Sequence, residues 1–225
     1  MAYLGRSLAG DFASLYALTN RLSNEEVASL LLEMYRVKAS QVAFRYLLRD
    51  FWIRRHDLVI AVAGGIPTVC EMFRYAAFPV SASIGLTVKA YRGTRGIPAG
   101  QSAATGMCWS LNRDIACYHA FPDGRGGAVE PVVIEAEIPR EHILMYTEGK
   151  LLSEITIVPI STNPKIEYRV SLPVEDWLVS RTRFVAERTA SLALMKQNPN
   201  ELSPSERANR EVALAELVGP LTNRG

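Results

Sequence analysis

Three short segments of this 225-residue sequence bring together side chains that could do chemistry. The first is Tyr91-Arg92-Gly93, at the end of an alternating apolar and polar run. A guanidinium at a strand terminus can fork onto a phosphate or ribose oxygen, and a following glycine lets a planar ligand lie close to the backbone. The second is Gly106-Met107-Cys108-Trp109-Ser110-Leu111-Asn112, followed by Ala116, Tyr118, His119 and Ala120. Strand alternation sends Cys108 and Ser110 to one face and Trp109 to the other, so small polar groups can line a pocket floor while the indole packs the opposite layer. Ala116 and Ala120 lie one helical turn apart and permit close packing of a helix on a sheet. Tyr118 offers an aromatic face for a planar ring. The third is Ser153-Glu154-Ile155-Thr156-Ile157-Val158-Pro159, a carboxylate opening an otherwise apolar strand. Each segment alone has a plain structural reading: a turn, a strand with a capped helix, an exposed glutamate at a strand start.

Order and spacing together say more. The three segments resemble the ADP-ribosyltransferase superfamily, in the branch marked by Arg, then Ser-x-Ser/Thr, then Glu, and within it the small bacterial and phage-type members. The likeness covers residues 89–159, under half the chain, and its most specific part is the Trp109-Ser110-Leu111-Asn112 stretch with Ala116 and Ala120. It implies a compact core of short mixed strands in two small packed sheets, with NAD as co-substrate and no metal. By this resemblance Arg92 holds an NAD phosphate or ribose, and Gly93 offers backbone hydrogen bonds to the nicotinamide amide. Cys108 and Ser110 support the pocket, Tyr118 packs near the nicotinamide, and Glu154 is the catalytic carboxylate.

The chemistry suits those residue types. Breaking the nicotinamide–ribose bond builds positive charge on the ribose, an oxocarbenium-like species. A carboxylate fixed beside that ring stabilises the charge where it develops. Nicotinamide departs neutral and needs little acid assistance, so one carboxylate and good positioning suffice.

Two departures from the family pattern bear on the acceptor and the pocket. Cys108 stands where the first serine of the pair is expected, and a thiol is a weaker hydrogen-bond partner than a hydroxyl. Leu152 stands two residues before Glu154, where arginine-modifying members carry a second glutamate; Glu148 lies on the same approach at the wrong spacing. The resemblance therefore implies transfer to a macromolecular acceptor other than arginine, with a nucleobase, another side chain or water left open. It also implies a toxin, effector or phage-encoded modifier, with an inhibitor or antitoxin protein as a partner. An NAD glycohydrolase and a non-catalytic binding module remain as alternatives, and the spacing does not require a nucleophilic Cys108 paired with His119.

Bulk composition sets the frame. Hydrophobic residues at 48% and charged residues at 21% describe an ordinary globular chain rather than a disordered one. A formal net charge of +2 is too small to argue for nucleic acid on bulk electrostatics. Cys70, Cys108 and Cys117 form no Cys-x-x-Cys pair, which suits a reducing compartment and argues against zinc. Gly10 and Asp11 interrupt the opening residues before an apolar run develops, and the longest apolar stretch, 58–66, falls far short of the roughly 20 residues a membrane helix needs. A cytoplasmic protein that does not engage a membrane is the expectation.

The elements that must position the three segments follow from periodicity. Ser23-Asn24-Glu25-Glu26 reads as a capping box ahead of an apolar stripe of Val27, Leu30, Leu31 and Met34. Helices are expected over 41–57, where the arginines form a solvated face, and over 68–78, ended by Pro79. A strand is expected over 86–91, with loop chemistry over 93–100. A strand at 108–110, an Asn112-capped helix to about Phe121, and strands at 132–138, 143–146, 154–158 and 166–172 indicate an α+β core rather than a doubly wound sheet. The tail returns to helix over 174–196, with Glu175 and Asp176 at its positive end and Lys196 at its negative end, and again after a capping box at 203–206. The chain divides into a helical region over 1–80, an NAD-binding core over 81–172, and C-terminal helices over 173–225 packed on that core.

Overall fold

A computed structural model describes residues 11–121, 130–147, 153–162, 166–170 and 174–196. The capping box expected at 203–206, and the positions of Glu148 and Leu152, lie outside them. The chain divides into two compact units between Pro79 and Val80.

The first unit is helical. Asp11 caps α1 (Phe12–Thr19) by accepting from the backbone N–H groups of Ala13 and Ser14. The capping box forms at the head of α2 (Asn24–Arg36): the Ser23 hydroxyl accepts from the Glu26 N–H, and the Glu26 carboxylate accepts from the Ser23 N–H at 2.8 Å. Such a cap stabilises a helix by about 1 kcal/mol. Helix α3 (Gln41–Ala63) runs six residues past the expected end, with non-helical backbone at Arg55, and buries Phe44, Leu47, Leu48, Phe51 and Trp52. Helix α4 (Ile66–Ala76) starts two residues early because Pro67 sits in its first turn, where a missing N–H costs nothing. It ends at Ala77, whose left-handed φ of 49° closes the last turn before Pro79 is reached. No single helix among the described residues is long and apolar enough to cross a membrane.

The second unit is α+β. Among the described residues six strands form one antiparallel sheet, in the order β4 (Ile143–Thr147), β5 (Glu154–Ile157), β2 (Cys108–Ser110), β1 (Thr87–Arg95), β3 (Pro131–Pro139) and β6 (Tyr168–Val170), so the expectation of two small sheets of mixed strands is corrected. The central strand, β1 (Thr87–Arg95), joins the halves: it pairs with β3 (Pro131–Pro139) over its whole length and with β2 (Cys108–Ser110) through Tyr91 and Ser110. That long partner also carries β1 straight through Gly93 to Arg95, where a loop was expected. Strand β2 pairs in turn with β5 (Glu154–Ile157), β5 with β4 (Ile143–Thr147), and the exposed β6 (Tyr168–Val170) closes the far edge. Helix α5 (Ala99–Thr105) lies between β1 and β2. It was not expected, because its Ala, Gly and Ser residues show no apolar stripe.

Alternation gives the sheet two distinct faces. One presents Ala90, Trp109, Ile134, Ala136, Ile138, Ile155 and Ile157 to a core completed by Ala103 of α5. The other presents Tyr91, Gly93 and Val133 to α6 (Arg113–Ala120), whose Ala116, Cys117 and Ala120 pack there with Phe121 and with Trp177 of α7 (Val174–Lys196). Helix α7 clasps α6 through polar contacts as well. Arg183 forks onto both Asp114 oxygens at 2.5 and 2.8 Å, and Arg181 donates to the Phe121 carbonyl.

Candidate active site

Register builds the site. Thr147, Glu154, Ser110, Tyr91 and Glu135 are successive cross-strand neighbours through β4, β5, β2, β1 and β3, so they share the face that α6 covers. Cys108 lies two residues from Ser110 on the same face, half-buried, and its cross-strand neighbour is Thr156. Ser110, and not Cys108, is therefore the residue beside Glu154.

Ser110 fastens this corner. Its hydroxyl donates to the Ser153 carbonyl at 3.0 Å and accepts from the Asn112 N–H at 3.0 Å. The Asn112 side chain accepts from the Asp114 N–H at 2.8 Å and so caps α6. One hydroxyl thus ties the start of α6 to the residue preceding Glu154. It orients the glutamate through the backbone rather than by a direct bond.

Glu154 has a quarter of its side chain exposed, and its Oε1 lies 3.7 Å from Nε2 of His119, which is 55% exposed. This neighbour was not among the expected site residues. The expected one, Tyr118, points elsewhere: its ring packs on Phe184 of α7 at 5.2 Å, and its hydroxyl accepts from Arg188 at 3.0 Å. Successive helical residues are turned by about 100°, so only one of two adjacent side chains can face β5. Thr147, opposite Glu154, has a buried hydroxyl with no hydrogen-bond partner among the described residues.

Gly93 is required by packing. A β-carbon there would lie 1.7 Å from the Ala116 carbonyl oxygen and 2.9 Å from the Ala120 nitrogen. The space that the sequence suggested for a planar ligand is taken by α6.

Arg92 projects from the other face, by alternation with Tyr91. Its stem crosses Gly106, where a β-carbon would come within 2.3 Å of Nε. Nη1 donates to the Cys108 carbonyl at 2.7 Å, whereas Nε is buried with no partner among the described residues. Burial pulls this guanidinium below its ordinary pKa. The sheet separates Arg92 from Glu154, and the bond to Cys108 links Arg92 to the strand that carries Ser110.

A second polar group occupies the α6-side face at the β3 edge. Burial pushes the Glu135 carboxyl up, but hydrogen bonds from Arg169 and Lys89 outweigh it and hold the group below the usual carboxylate range. A cleft of about 340 Å³ opens there, lined by Lys89, Glu135, Glu137, Tyr168 and Arg169, and none of the expected site residues lines it. Among the described residues no three His, Cys, Asp or Glu side chains cluster as a metal site requires. No protein-family model, curated protein or solved structure matches this chain.

Proposed function

We propose that this chain binds NAD on the α6-covered face of its sheet, cleaves the nicotinamide–ribose bond, and transfers ADP-ribose to a macromolecular acceptor. The observation that carries the reading is Glu154. It is a partly exposed carboxylate at the start of β5, set beside Ser110 by register and beside His119 by α6, within the motif order of the ADP-ribosyltransferases. A carboxylate held there can stabilise the positive charge that develops on ribose as nicotinamide leaves. Ser110 holds the corner, Cys108 completes the strand floor, Gly93 lets α6 seat against the sheet, and Arg92 supports β2 from the opposite face. Arginine is disfavoured as acceptor because Leu152 replaces the glutamate that would activate it.

The test is incubation of the purified chain with NAD, alone and with candidate macromolecules. Release of nicotinamide that depends on an acceptor, with ADP-ribose found on that acceptor by mass spectrometry, supports transfer. Release into water alone makes the chain an NAD glycohydrolase. No release under either condition sinks the enzyme reading and leaves a binding module.

A further inference from the structure

We infer that His119 is a second catalytic group at this site, the general base that takes the acceptor's proton as the acceptor attacks the ribose. The inference rests on the NAD-cleaving reading above and adds to it the chemical class of the acceptor: a neutral O–H, S–H or N–H nucleophile.

The geometry points to this role in two ways. His119 is the side chain that stands next to Glu154, with Nε2 3.7 Å from Oε1. That separation is wider than a hydrogen bond, so neither group is tied up by the other. His119 is also 55% exposed, so an acceptor can reach it from solvent, whereas Glu154 at 25% is more enclosed. The exposed member of the pair is thus placed on the acceptor's path, and the enclosed member is placed for the ribose.

The step balances without an oxidant or reductant. The bond between ribose C1′ and the nicotinamide nitrogen breaks with its electron pair going to nitrogen, and nicotinamide leaves neutral. A lone pair of the acceptor forms the new bond to C1′, and the acceptor's proton passes to Nε2. Water, a hydroxyl, a thiol or a nucleobase nitrogen bears a proton that can pass to an imidazole as the bond forms. A guanidinium, whose pKa exceeds about 12, is a poor match for that base, in keeping with Leu152 at the position of the missing glutamate.

Azide separates this role from a structural one, because it is already an anion and needs no base. In the full chain, His119→Ala and His119→Gln should each slow nicotinamide release into water by about 10² or more, with NAD affinity measured by calorimetry unchanged. Sodium azide should restore release in both variants and yield ADP-ribosyl azide, identified by its mass. Glu154→Gln should gain nothing from azide, since its loss lies in stabilising the ribose. Wild-type rates in water for both histidine variants, or a loss that azide leaves unrepaired, would overturn the assignment of His119 alone. If the wild-type chain releases no nicotinamide with water, azide or a macromolecular acceptor, the NAD reading fails and this inference fails with it.

Discussion

Gly93 lies so close to Ala116 that a β-carbon on it would sit 1.7 Å from the Ala116 carbonyl oxygen. The obstacle is helix backbone, which cannot rotate aside as a side chain would. Gly93→Ala should therefore push α6 off the sheet and cost about 3 kcal/mol, at the upper end for overpacking. The same shift would carry His119 away from Glu154. Thermal unfolding should show a loss of several degrees together with reduced turnover. A variant that melts with the wild type would mean that α6 does not sit where this contact puts it.

Glu154→Gln should keep the fold and much of the NAD affinity while turnover falls by about 10² or more, because the interaction lost is one made in the transition state. The side chain is a quarter exposed and stays 3.7 Å from Nε2 of His119, so an amide of the same size has room. Steady-state nicotinamide release, with calorimetry for binding, checks this. Near wild-type turnover would remove Glu154 from its catalytic role.

Cys108→Ser should be tolerated, with activity unchanged or higher. Cys108 shares a face with Ser110 but stands opposite Thr156, so it contributes to the floor and does not hold Glu154. A hydroxyl is close to a thiol in size and is the better hydrogen-bond partner. If the thiol were a nucleophile, the substitution would abolish turnover, because a hydroxyl is far less ionised near neutral pH. NAD consumption by the folded variant decides between the two.

Arg92 calls for two substitutions. Arg92→Ala removes the donor to the Cys108 carbonyl and leaves a void over Gly106, so it should cost about 1–3 kcal/mol of stability. Arg92→Met keeps most of the buried stem and removes a charge that burial already penalises, so its stability should lie nearer the wild type. In the folded variants NAD affinity should stay close to the wild type, because the sheet separates Arg92 from the face that carries Glu154. A large loss of affinity in folded Arg92→Met, measured by calorimetry, would overturn this and bring a phosphate within reach of Arg92.

Acid should loosen the α6–α7 clasp. Burial raises the Asp114 carboxyl, but the hydrogen bonds of Arg183 and Ser180 and the charge of Arg113 outweigh it and leave the group below its ordinary value. A depressed folded pKa contributes stability that is complete above the unfolded value of about 3.9 and is lost as pH falls through the folded value. Denaturant titrations at neutral pH and below pH about 4 should show a smaller acid loss in Asp114→Asn than in the wild type. Equal losses in the two proteins would show that this carboxylate does not set the acid limit.

Features that depend on a few neighbouring residues were legible in the amino-acid sequence alone. The Ser23–Glu26 box, the Asn112 cap, the strand at Cys108–Ser110 and the bounds of α7 all follow from short-range hydrogen bonding and apolar period. The resemblance that singled out Glu154, Ser110 and Arg92 was equally local, a matter of residue types in order. What remained hidden was whatever a distant partner decides. Strand β1 passes through Gly93 only because β3 pairs with it there, and α5 is a helix of small residues whose burial its own sequence does not signal. Alternation separates Tyr91 from Arg92, but only the register Tyr91–Ser110–Glu154 decides which of the two shares a face with the carboxylate. The rotation of α6 about its axis, locked by Gly93 against Ala116 and by Phe184 against Tyr118, turns His119 toward Glu154 and Tyr118 away. Residue types and spacing named the chemistry because they are written along the chain. Faces and neighbours waited for the fold because pairing register and helix rotation are set by contacts tens of residues apart.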